Sequence, residues 1–213
     1  MPFVKQGNRR SIAGNERKTG RGCPELVEQL ADPDPTARRW AARDLADCPG
    51  ASGALVQRLQ KEATASVREA ILTTLTRLGD EAAVVGLVDC LRSEDATLRN
   101  EAISAMQELP DAVAPIMGGL LNDLDADVRI FAVNILQSLR HAQVEAWLVE
   151  VIDRDPHVNV CGAALDLLGE VGTEHARGAL ERLRLRFPDE PYILFAADLA
   201  LKRIGEECAP WPN

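Results

Sequence analysis

Apolar residues recur along this chain in short amphipathic stretches whose phase resets about every 30 residues. Four stretches share one frame: DPDPTARRWAARDLA, EATASVREAILTTLTRLG, SEDATLRNEAISAMQEL and DLDADVRIFAVNILQSL. In each, a polar or acidic residue and two spacers precede an aliphatic anchor, then arginine, then apolar positions four, five and eight residues after the anchor. The anchors are Ala37, Val67, Leu98 and Val128, followed by Arg38, Arg68, Arg99 and Arg129. Two degenerate copies align on Val160, with Cys161 in the arginine position, and on Ile193, with Leu194 there. The anchor spacings of 30, 31, 30, 32 and 33 residues define a repeat, which decides the architecture before any single element is assigned.

Each copy reads as two helices. A shorter apolar pattern precedes every anchor, such as Ile116, Met117, Leu120 and Leu121, and both patterns have the 3.6-residue period of amphipathic helices. Asp34, Asp95 and Asp125 stand three residues before their anchors, where a side-chain oxygen accepts the free N–H groups that open the second helix. One such pair leaves the far side of each helix wet, and stacking neighbours buries those sides in a continuous core. The expected fold is therefore all-α, a right-handed α-solenoid of about six helix pairs over residues 23–207. Residues 1–22 read as a disordered basic tail, Gly-rich and poor in apolar residues. Residues 208–213 read as a C-terminal extension.

Charge narrows the partner. The chain carries 24 basic and 33 acidic side chains, a net charge of −9. Residues 1–22 hold six basic residues against Glu16, a balance of +5, so the remainder carries −14. A body this acidic disfavours nucleic acid, whose phosphates need a basic surface. The absence of a long apolar run or an apolar leader argues for a cytoplasmic protein that does not enter a membrane. The five cysteines, Cys23, Cys48, Cys90, Cys161 and Cys208, are widely spaced and odd in number, so they are expected reduced, outside any disulfide framework or zinc site.

The frame of aspartate, two spacers, aliphatic residue and arginine resembles the HEAT-repeat family, in the short form found in phycobilisome-lyase-type proteins. That resemblance implies a polar ladder between adjacent repeats, carried here by Asp34, Arg38, Arg68, Asp95, Arg99, Asp125 and Arg129 and ending after the fourth repeat, where Cys161 and Leu194 replace arginine. It also implies several functions. HEAT-type hydroxylases hold iron with repeated His-Glu pairs, whereas this chain offers only Glu174-His175 in reversed order. HEAT-like DNA glycosylases need a basic face that is missing here. A bilin-lyase-like subunit acting on a tetrapyrrole-carrying protein is the enzymatic alternative.

No acid, base or nucleophile stands at a recognisable catalytic spacing, and neither a cofactor nor a metal is called for. His157 and Cys161 form the one candidate pair, a His-x3-Cys at a helix start, although both also read as substitutions in a degenerate repeat. The expected function is a scaffold, adaptor or assembly factor that binds a protein or peptide along the concave face of the second helices. Positions two, three, six and nine or ten after each anchor face outward there. They include Arg39, Trp40 and Arg43, then Glu69 and Thr73, then Asn100 and Ser104, then Ile130, Phe131 and Asn134. Trp40 and Phe131 are the candidate anchors of a bound segment, or additional core.

The frame sets an order of sensitivity. Arg129→Ala should lower the denaturant midpoint more than Arg43→Ala, since a partly buried charged hydrogen bond contributes about 1.5–3 kcal/mol and an exposed charge about none. Equal midpoints for the two variants would remove the ladder.

Overall fold

A computed structural model describes residues 20–207, which contain twelve α-helices and no strand. They follow one another as six pairs: α1 (Cys23–Gln29) with α2 (Pro35–Asp44), α3 (Ser52–Leu59) with α4 (Ala65–Leu78), and α5 (Glu81–Cys90) with α6 (Ala96–Gln107). Next come α7 (Pro110–Leu121) with α8 (Ala126–Leu136), α9 (Val144–Arg154) with α10 (Val158–Val171), and α11 (Arg177–Arg186) with α12 (Pro191–Glu207). The chain is an α-solenoid. Residues 1–19 of the expected basic tail (1–22) and the expected C-terminal extension, 208–213 with Cys208, lie outside the described residues.

The repeat frame is a burial pattern. Five of the six anchors are buried, Ala37 being half-buried, and so are the residues four, five and eight positions on in the first five copies, for example Ile71, Leu72 and Leu75. The last copy departs in a way its position explains. Among the described residues no further repeat covers α12, which buries a narrower stripe, Ile193, Ala197, Ala200 and Ile204, and leaves Leu194 and Leu201 half-buried. Second helices pack against one another more extensively than first helices do, and together they form one continuous face of the stack, the inner face.

Two glycines permit close features. Gly79 ends α4 at φ +55°, the left-handed conformation that closes a helix without a Cβ penalty. Gly86 lies where α5 crosses α3, and a Cβ there would stand 2.2 Å from Val56 Cγ2 and 2.9 Å from its Cβ.

The cysteine expectation fails at two of the five positions. Cys23 and Cys48 are disulfide-bonded, with their Cα atoms 5.7 Å apart. In an antiparallel pair the first residue of the first helix lies beside the end of the second, and a 3-10 turn at Leu45–Asp47 brings Cys48 onto Cys23. Sequence spacing alone hides this proximity, which follows only once the helices are paired. Cys90 and Cys161 are free and buried.

Gly86→Ala should lower stability by about 1–3 kcal/mol, because the β-branched Val56 has little freedom to yield. Gly53→Ala, in α3 with open space around it, should raise stability by up to about 1 kcal/mol. Urea denaturation of both variants checks the pair, and Val56→Ala should recover part of the Gly86→Ala loss.

Candidate functional site

The inner face is set by the loops between paired helices, and one position governs these loops. Five residues before the anchor stand Asp32, Glu62, Ser93, Asp123 and Asp155. In all five copies the side-chain oxygen of this residue accepts the backbone N–H two residues on, at 2.8, 2.8, 3.1, 2.9 and 2.8 Å. The next acceptor in line opens the helix: Asp34 takes the Thr36 N–H, Asp95 those of Thr97 and Leu98, and Asp125 that of Asp127. Two successive side-chain turns thus fold the loop and start the second helix.

The arginines after the first and fourth anchors reach back into their own loop and forward into the next. Arg38 donates to the carbonyls of Asp32 and Pro33 and, through Nε and Nη2, to both oxygens of Glu62 at 2.7 and 2.9 Å. Arg129 does the same with the Asp123 and Leu124 carbonyls and with Asp155, at 2.6 and 3.1 Å. Ser93 has no charge to offer Arg68, which pairs instead with Asp95 at 2.8 Å and Glu101 at 3.3 Å. Arg99 donates to the Ser93 carbonyl and lies 5.5 Å over the Phe131 ring, while Arg92, just beyond α5, takes Asp123. The ladder residues named from the sequence therefore divide in two: the arginines link repeats, while Asp34 and Asp125 cap helices. The carboxylates that receive Arg38 and Arg129 are Glu62 and Asp155, which the sequence reading passed over. An oxygen-bearing residue at that position in five consecutive copies was the available signal.

The linkage also runs past the point where it was expected to stop. Cys161 donates its thiol to the Asp155 carbonyl at 3.2 Å, and Arg186 at the end of α11 donates to the Asp153 and Asp155 carbonyls at 2.5 and 2.9 Å. A guanidinium from the following repeat thus occupies the junction that lacks its own. Burial raises the Cys161 thiol pKa above its usual value, with Arg186 opposing, so the group is a protonated hydrogen-bond donor rather than a nucleophile. His157 is exposed at the start of α10. Among the described residues no group of three or more His, Cys, Asp or Glu is placed to hold a metal ion.

On the inner face, α4 and α6 bound an open groove of about 660 Å³ lined by Glu69, Thr73, Arg77, Asn100, Glu101 and Ser104 among others. Glu69, Thr73, Asn100 and Ser104 are exposed, as expected, and so is Asn134 on α8. The expected anchors are placed differently. Trp40 is half-buried between Arg39 and Arg43, whose guanidinium carbons each stand 5.6 Å from its ring. Phe131 and Ile130 are half-buried against the core. The exposed apolar groups of this face lie in the sixth repeat, where Tyr192, Phe195 and Leu199 are 53%, 70% and 58% exposed beside a groove of about 530 Å³ between α10 and α12. The offset rule reaches Phe195 and Leu199 when it is carried to the last anchor.

A family model described as HEAT repeats matches residues 23–107 and 113–202. The chain belongs to the HEAT-repeat family. No curated protein sequence matches this HEAT-repeat chain. Among solved structures it is similar to the complex of CpcE and CpcF of phycocyanin lyase from Nostoc sp. PCC7120, at 18% identity and a TM-score of 0.38, covering 95% of this chain and 100% of that one. It is also similar to a designed armadillo repeat protein in complex with the peptide (KR)4, at 21% identity and a TM-score of 0.42, covering 86% and 100%. An engineered protein matches at 23% identity and a TM-score of 0.43, covering 88% and 100%. No described helix of this HEAT-repeat chain is long and apolar enough to cross a membrane.

Glu62 offers a test of the polar junction. Burial alone would raise its pKa, but hydrogen bonds from Arg38, the Thr64 N–H and Arg58 outweigh burial and bring it down to about 2. A carboxyl depressed in the folded state stabilises above its unfolded pKa of about 4.3, and that stability is lost as pH falls towards the folded value. Glu62→Gln should therefore cost about 3 kcal/mol at pH 7 in urea denaturation, with the gap to the parent closing between about pH 4.5 and pH 2. A gap that stays constant down to pH 2 would show that the carboxylate is not what holds the junction.

Proposed function

We propose that this chain is a non-catalytic scaffold or adaptor that holds a protein or peptide partner along the inner face of its second helices. The observation that carries the reading is the open groove between α4 and α6. Its rim of exposed Glu69, Thr73, Asn100 and Ser104 offers hydrogen-bonding groups from two adjacent repeats to one extended segment. Such a surface positions a bound chain by side-chain hydrogen bonds, while the rigid stack beneath it keeps those groups in register. Arg39 and Arg43 beside Trp40 extend the same face at one end, and Asn134 continues it towards the other.

The polar rim of the groove and the burial of the two free thiols among the described residues together favour binding over chemistry. Cys90 is pushed up to about 11 by burial, with Asp89 adding to the rise, and Cys161 is raised as well, so neither is available as a thiolate at neutral pH. The remaining carboxylates of the groove are spread along helix faces as recognition groups rather than gathered around a reacting atom.

The test is a variant that fills the groove without touching the core. Asn100→Arg with Ser104→Arg should abolish partner capture, measured by affinity purification and mass spectrometry, while leaving the melting temperature unchanged. Glu94→Arg, exposed in the loop before α6, serves as the control and should capture normally. Undiminished capture by the folded double variant would place the partner elsewhere.

A further inference from the structure

The groove at the end of the inner face is rimmed by exposed apolar side chains, where the one between α4 and α6 is rimmed by Glu69, Asn100 and Ser104. Tyr192, Phe195 and Leu199 recur at three- and four-residue spacing along one side of α12, with Leu165, Ala196 and Ala200 as the floor and Asp166 and Glu170 of α10 as the opposite wall. These three are among the most exposed large apolar side chains of the described residues. A solvated face has no use for them, and an apolar strip rimmed by polar groups marks an interaction surface. Tyr192 is held upright by donating its hydroxyl to Asp166, which fixes the near edge of the groove.

The charge along the inner face beyond the strip indicates what lies next to the seated side chain. Glu170 lines both this groove and the smaller one between α8 and α10, and it is exposed without an ion-pair partner among the described residues. Further along the inner face Glu69 and Glu108 are likewise exposed and lack an ion-pair partner among the described residues, and both line the groove between α4 and α6. Of the cations nearby, Lys202 and Arg203 line the α12 side of this same groove, where Arg203 also donates to the Gly172 carbonyl, and further along Arg77 pairs with Asp47 at 2.7 Å. From the second repeat to the fifth, the charge this face has to offer is negative.

We infer that the α10–α12 groove seats a large apolar side chain of a basic peptide segment, whose lysines or arginines lie along the carboxylates of the inner face towards α4. This rests on the proposed binding along that face and names the chemistry of the bound segment. The apolar contact supplies affinity through burial, and the carboxylates set direction and exclude acidic segments.

The experiment uses the full chain and a fluorescein-labelled synthetic peptide with two leucines followed by four spaced arginines. Two matched peptides replace the arginines by glutamate or the leucines by serine. Fluorescence anisotropy should show the leucine–arginine peptide binding at least about tenfold more tightly than either match. Phe195→Ser with Leu199→Ser, and separately Glu170→Lys, should each weaken it at least about tenfold with unchanged melting, since all three side chains are exposed. Raising the salt from about 0.05 to about 0.5 M should weaken binding of the basic peptide severalfold. Equal affinity for the three peptides, or full affinity in the Phe195→Ser, Leu199→Ser variant, overturns the inference. So does a free protein whose mass falls from dimer to monomer in that variant, since the strip would then join two copies. Partner capture lost through Asn100→Arg and Ser104→Arg, alongside indifferent peptides, would leave the scaffold reading standing and remove only the basic segment.

Discussion

In the loops of the second, fourth and fifth helix pairs one acidic side chain does two jobs, and the solenoid depends on their being joined. Glu62 accepts the Thr64 N–H, which folds its own loop, and it accepts the guanidinium of Arg38, which belongs to the repeat before. Asp155 joins His157 and Arg129 in the same way. Loop shape and repeat-to-repeat register are thereby tied together, because moving either one breaks a hydrogen bond of the other. Removing two charges from water is costly, and burial of this kind is sustained only when every polar atom is matched. Here the match is nearly complete: both Glu62 oxygens have donors, and Arg38 divides its N–H groups between that carboxylate and two carbonyls.

Where the frame changes, the junction is rebuilt from other parts. Ser93 removes the carboxylate, and Arg68 moves two residues along to Asp95. Cys161 removes the guanidinium, and Arg186 arrives from the following repeat to meet the same carbonyl. These substitutions look like decay in a linear reading, but in three dimensions a different residue supplies a partner at the same junction.

The sequence made the framework legible because helix periodicity and repeat spacing are local. Anchors such as Val67 and Val128, the helix pairs and the aspartates that open second helices all follow from patterns within a few turns. What it hid depends on contact between segments. The bond between Cys23 and Cys48 joins opposite ends of a helix pair, and the partner of Arg38 lies 24 residues away on a position that looks like ordinary polar loop. Trp40 and Phe131 carried the right chemistry for an anchor, yet neighbouring arginines and the core cover them by half. The exposed Phe195 and Leu199 were within reach of the same offset rule, which is blurred there because Leu194 stands in the arginine position of the final repeat. Along the inner face the repeats are thus alike in backbone and unlike in surface, from guanidinium and indole at one end through amides and carboxylates to an apolar strip at the other.

The disulfide has a mechanical consequence. Tension applied to the chain before residue 22 enters at Cys23, crosses the sulfur bridge, and leaves at Cys48 without passing through α1 or α2. Both helices of the first pair are shielded from the pull, and the first segment to carry it is the connection from Cys48 to α3. A stack that would otherwise peel from its exposed end instead resists there and gives way one repeat further in.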